Sequence, residues 1–193
     1  MKYIAMIDPS TTSTGVAIFR ENYELEEVFV LEDCRKLKKP AKMSKAAAKE
    51  LRHQIMESRV LDMIKHLNWI MNKYHPEKIV MEDSYSDKDP YAYKMLCRLQ
   101  GTMLEYAIQN DIPIYFRSPS AWRSPLGIKL VKEDGTHNKR PDFKRLAVQT
   151  VEELFDMTVK DDIAEAICMG LSEKIREERG NAFDDAGFVG SPF

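Results

Sequence analysis

The chain has 193 residues, 44% of them hydrophobic and 31% charged, with a formal net charge of −2. This is the balance of one globular domain with a proper core, and it excludes an intrinsically disordered or fibrous chain. No apolar run approaches the roughly 20 residues of a membrane span. Asp8 comes too early for a secretory signal, and Cys34, Cys97 and Cys168 have no metal or redox spacing, so a cytoplasmic protein with reduced thiols is expected.

Residues 2–8 are a short apolar run ending at Asp8-Pro9, which predicts a buried strand. The segment Ser10 to Gly15 is small, polar and turn-like. Val16–Phe19 and Glu27–Leu31 then predict two more strands, with a turn near Glu21-Asn22, making an antiparallel meander. From Ser44 to Tyr74, Ala47, Leu51, Ile55, Leu61, Ile64, Leu67 and Met71 recur at three- and four-residue steps. That spacing predicts one long amphipathic helix, ended by His75-Pro76. Lys78–Glu82 reads as a fourth strand, residues 83–89 as a polar loop, 90–110 as a helix and Ile112–Phe116 as a fifth strand. Residues 117–140 form a loop-rich insert, and helices over 141–155 and 161–178 close the fold. The expectation is an α/β fold: a mixed five-stranded sheet, three antiparallel strands then two parallel, flanked by helices. One domain over residues 1–178 would be followed by a flexible tail, 179–193.

Asp8 and Glu82 end the first and fourth strands, so neighbouring strands would aim both into the crevice outside their carboxyl ends. Asp162 and Glu165 stand three apart on the closing helix and share one face. Singly, each has a plain structural explanation. Asp8 can open a turn before Pro9, Glu82 can be a solvated strand end, and Asp162 with Glu165 has the spacing of a capping box. Taken together they predict a carboxylate cluster, which must hold protons or bind cations. Hard oxygen donors suit Mg²⁺ or Mn²⁺, and two such ions can clamp both oxygens of an in-line phosphodiester displacement. Asp161 and Asp83 are further candidate ligands.

At these residues the chain resembles the RuvC family of Holliday junction resolvases. Ile7-Asp8-Pro9-Ser10-Thr11-Thr12-Ser13-Thr14-Gly15 is similar to the family's opening acid motif. Ile79-Val80-Met81-Glu82-Asp83-Ser84-Tyr85 is similar to its second, and Asp162-Ile163-Ala164-Glu165-Ala166 to its last. Leu99-Gln100-Gly101 and Ser118-Pro119-Ser120-Ala121-Trp122-Arg123 fall between them in family order. The resemblance covers roughly residues 1–178. It implies an RNase H-like fold and a homodimer with two active sites that nicks four-way DNA junctions in pairs. It also implies Asp8, Glu82, Asp162 and Glu165 as ligands of two Mg²⁺ or Mn²⁺ ions, and Tyr85 as an aromatic stacking on bases at the branch point. The chain departs from the family at Glu165, where Asp is usual, and at Ser10, where glycine is common. Its longer basic insertions look more like those of phage relatives.

Between Arg35 and Arg52 there are eight Lys or Arg against one acid, Glu50; between Arg123 and Arg145 there are seven against three. Such segregation in a chain of net negative charge predicts a polyanion partner, here branched DNA. Lys38, Lys39, Lys42 and Lys45 in the first stretch, with Arg123, Lys129, Lys132, Lys139 and Arg140 in the second, are the expected phosphate contacts. Tyr91 and Tyr93 read as base-stacking or core residues. The acidic, aromatic tail resembles the C-terminal tips of single-stranded DNA-binding proteins, and reads either as a docking segment for a replication or recombination protein or as a plain chain end. Two competing readings are a non-catalytic junction-binding protein on the same fold and an actin-like ATPase or sugar-kinase fragment. The latter rests on the likeness of residues 8–15 to a phosphate-binding hairpin.

Overall fold

Strand β1 (Tyr3–Asp8) is apolar and buried from Ile4 to Ile7, as a central strand covered on both faces must be. It pairs antiparallel with β2 (Ser13–Arg20), which pairs antiparallel with β3 (Leu25–Glu32). On its other side it runs parallel to β4 (Lys78–Glu82), which runs parallel to β5 (Ile114–Arg117). This is the expected mixed sheet of five strands. A two-residue strand, β6 (Phe188–Val189), extends it antiparallel along β5, out of the stretch expected to be tail. The computed structural model describes residues 1–32, 43–83, 89–132 and 135–180, with the backbone of 188–189.

Strand alternation sorts the core into two layers. Ala5, Ile7, Val16, Ile18, Ile79 and Met81 face helices α1 (Lys45–Tyr74) and α2 (Pro90–Gln109). Ile4, Met6, Ala17, Phe19 and Val80 face the opposite layer: α3 (Pro119–Arg123), α4 (Arg140–Phe155) and α5 (Asp161–Glu178). Among the described residues no helix is long and apolar enough to cross a membrane.

The structure corrects three local expectations. β2 begins at Ser13 rather than Val16, because buried Thr14 is satisfied locally: its Oγ1 donates to the Ser10 carbonyl and accepts from the Ser10 amide. The apolar stripe of α1 is only partly the one read from spacing: Leu67 and Met71 are buried and Ile64 packs on the core. Ala47 and Leu61 are exposed, and Val60, Met63, Leu67, Ile70, Met71 and Tyr74 make the buried face, all in the second half of the 30-residue helix. The insert after β5 holds the short helix α3, whose cap is Ser118 accepting from the Ala121 amide.

Candidate functional site

Asp8 and Glu82 are the last residues of two adjacent parallel strands, in register through Ile7 and Met81. Because Met6 and Val80 face the α5 layer, alternation sends Asp8 and Glu82 to that same side. The first turn of α5 rests on β2 at Gly15, the residue paired with Asp8. A Cβ on Gly15 would stand 1.9 Å from the Asp162 carbonyl oxygen, so only glycine lets the helix come this close. Asp162 is thereby delivered one strand away from Asp8.

Carboxylate oxygens of Asp8, Asp162 and Glu165 lie within 4.8 Å of one another, a group that could hold a metal ion. Asp8 and Glu165 are buried, and Asp162 is half-buried. Glu82 stands beside this trio, its Oε2 accepting a 2.6 Å hydrogen bond from Nε1 of buried Trp122. The capping box does not form. Lys160 is the N-cap, Asp162 lies inside the first turn, and Glu165 points into the cluster. The Asp162 amide bonds instead to Asp161 Oδ1.

Two cations reach the cluster from the α4 side. Lys144 Nζ lies 2.8 Å from Asp161, 2.9 Å from Asp162 and 3.6 Å from Glu165. Arg123 donates to Glu165 at 3.2 Å, and its guanidinium sits 4.8 Å and 4.5 Å from the ring centroids of Trp122 and Phe143. Arg123, expected as a basic residue near the scissile phosphate, has its guanidinium on the acid cluster. Among the described residues no cation forms an ion pair with Asp8 or Glu82.

The electrostatics follow from this placement. Burial, then repulsion from Glu82, Glu165 and Asp162, holds the Asp8 carboxyl well above the usual range. Burial pushes Glu82 up to about 7, the Trp122 hydrogen bond opposing and the Glu165 charge reinforcing it. Burial also raises Glu165, against the pull of Lys144 and Arg123. For Lys144, partial burial is outweighed by hydrogen bonds to Asp161 and Asp162, so its ammonium stays charged well above the ordinary range. Crowded hard-oxygen donors, two of them without an ion-pair partner among the described residues, fit Mg²⁺ or Mn²⁺.

Beyond the cluster, Lys129, Lys139 and Arg140 are exposed, and Lys132 pairs with Asp142 at 3.4 Å. Lys45 opens α1 and lines a cleft of about 400 Å³ with Lys49, Arg52, His53 and Asp89. Tyr91 stacks on His53 with centroids 3.7 Å apart, whereas Tyr93 is exposed. Lys38, Lys39, Lys42, Tyr85 and the tail's side chains from residue 181 on lie outside the described residues. Sequence reasoning missed the roles of Lys144, Trp122 and Gly15. Gly15 alone carried a local signal, a glycine beside a strand and an acid motif.

The mixed sheet carries acids at the carboxyl ends of β1 and β4 and in the first turns of α5. No protein-family model and no curated protein matches the sequence. Among solved structures, the chain is similar to Thermus thermophilus RuvC in complex with a Holliday junction substrate. The TM-score is 0.63 and the identity 16%, over 98% of this chain and 100% of that one. A second Thermus thermophilus RuvC structure matches at TM-score 0.61 and 16% identity, over 97% of this chain and 99% of that one. The fowlpox virus resolvase complexed with Holliday junction DNA matches at 0.49 and 14% identity, over 89% and 96%. The two Thermus matches establish a RuvC-like fold running through nearly the whole chain.

Proposed function

We propose that the chain is a divalent-metal-dependent endonuclease that resolves Holliday junctions and other branched DNA by phosphodiester hydrolysis, acting as a homodimer that makes paired nicks. The observation that carries this reading is the convergence of Asp8, Asp162 and Glu165, with Glu82 alongside, on one face of a RuvC-like sheet. Asp8, Glu82, Asp162 and Glu165 would hold Mg²⁺ or Mn²⁺, two ions per active site, with Asp161 as a further donor. When bound, such ions activate water and offset the charge that develops on a phosphodiester. The protein's own side chains prepare for this. Trp122 fixes the Glu82 carboxylate, and Gly15 admits the first turn of α5 beside Asp8. Lys129, Lys139, Arg140 and Lys45 offer exposed cations to phosphates, which supply affinity and orientation without sequence choice.

The test is a labelled four-way junction, a linear duplex and a flap, each incubated with and without Mg²⁺. Junction cutting that needs Mg²⁺ is expected. Asp8→Asn and Glu82→Gln should abolish it while junction binding persists. Junction binding by the wild type without any cutting would favour a non-catalytic binder, and cutting by either variant at the wild-type rate would overturn the ligand assignment.

A further inference from the structure

The carboxylate cluster is unevenly compensated. Asp161, Asp162 and Glu165 share the Lys144 ammonium at 2.8, 2.9 and 3.6 Å, and Glu165 also takes Arg123 at 3.2 Å. Asp8, as buried as Glu165, forms no ion pair among the described residues, and the one hydrogen bond to the Glu82 carboxylate comes from the neutral Trp122 indole. Lys144 reaches the site from the third residue after Pro141 on α4, with its side chain 20% exposed, so its head is a tethered cation inside the cluster. The ammonium thus already holds Asp162 Oδ1 and Glu165 Oε2, one oxygen of each acid that a second divalent ion would need.

We infer that Lys144 stands in the place of one of the two cations, so that the DNA-free protein takes a single divalent ion on the Asp8 side and admits a second only when Lys144 leaves. This rests on the metal-binding reading above. It makes Lys144 a positioning residue. It holds Asp162 and Glu165 in place without a second ion, and it sets the order in which ions load. A phosphate brought close to the cluster would compete for the same ammonium, which ties loading of the second ion to the arrival of DNA.

The experiment counts ions. Metal-stripped full-length protein is titrated with Mn²⁺ while the free ion is followed by electron paramagnetic resonance, with circular dichroism as the check on folding. The wild type should bind one Mn²⁺ per chain well ahead of any other. Lys144→Met should bind a second, tightened by about tenfold or more, the size of one partly buried ion pair. Lys144→Arg, which keeps the charge, should stay at one. If Lys144→Met does not fold without metal, Lys144→Gln keeps donors to the acids, drops the charge and carries the same expectation. Two equivalent ions on the wild type, or neutral variants that titrate like it, would overturn the role of Lys144 and leave the metal site standing. A wild type that binds no Mn²⁺ would overturn both.

Discussion

Replacing Gly15 by alanine tests whether the site is assembled by close approach of a helix to the sheet. The added Cβ would lie 1.9 Å from the Asp162 carbonyl oxygen, and such atoms do not come within 3.0 Å. The two must therefore separate by at least about 1.1 Å. The obstacle is backbone in a helix, not the flexible end of a side chain, so the whole first turn of α5 has to move. Overpacking of this kind costs on the order of 1–3 kcal/mol, and the upper end is expected here because no side-chain rotation relieves it. Asp162 and Glu165 move with that turn, and misplacement of a reacting constellation by about 1 Å lowers a rate on the order of a hundredfold. Urea unfolding and single-turnover cutting of a junction in Mg²⁺ read the two effects separately. Gly101→Ala is the control. It lies exposed within α2 with nothing inside 4 Å of its Cβ, and should raise stability by about 0.5–1 kcal/mol on helix propensity alone. A Gly15→Ala protein with wild-type stability and cutting would refute the packing of α5 on β2.

Metal-free protein should lose stability as pH rises from 5 to 8. Asp8, Glu82 and Glu165 all have folded-state values raised by burial, so their contribution is complete below the unfolded carboxylate range and fades as pH climbs, through about 7 for Glu82. For Glu82 alone the span from 4.5 to about 7 is worth at most about 3 kcal/mol. Urea melts at four pH values, with and without Mg²⁺, check this, and a flat metal-free profile would contradict it. Glu173→Ala, which removes the carboxylate that Arg117 and Lys78 share in the core, should cost on the order of 3–5 kcal/mol by urea unfolding. Lys139→Ala and Arg140→Ala should each weaken junction binding alike for all sequences and flatten the salt slope of affinity by about one. Unchanged slopes would remove these residues from the DNA surface.

The sheet and the long helices were legible because their signals are periodic: a central strand apolar throughout, and helices bounded by Ser44, His75-Pro76 and Pro90. The acids were legible because each sits where an element begins or ends. What stayed hidden depends on distance in sequence. The cation on Asp162 comes from Lys144, 18 residues away, and the donor to Glu82 from Trp122, 40 away. Nothing local separates Lys144 from its basic neighbours. Arg123 was legible as a phosphate contact, but not its direction, which goes with the Trp122 and Phe143 rings it packs against. The stripe of α1 held at Ile64, Leu67 and Met71 and failed at Ala47, because only the second half of that helix has fully buried residues.

Two buried glutamates on α5 separate structural from functional carboxylates. Glu165 and Glu173 are eight residues apart and similarly buried. Glu173 accepts from Arg117 at 2.8 and 3.2 Å and pairs with Lys78 at 3.1 Å, and although burial opposes it, these partners hold it below the usual carboxylate range. Its charge is matched within the fold. Glu165, with cations of its own, is still raised by burial, and so is Asp8, which forms no ion pair among the described residues. A fold that compensates one acid so thoroughly, two turns away, has the means to compensate the others. At Asp8 no ion pair within the described residues matches the carboxylate, so on this crowded cluster at the carboxyl ends of parallel strands it either keeps a proton or takes a cation from solution.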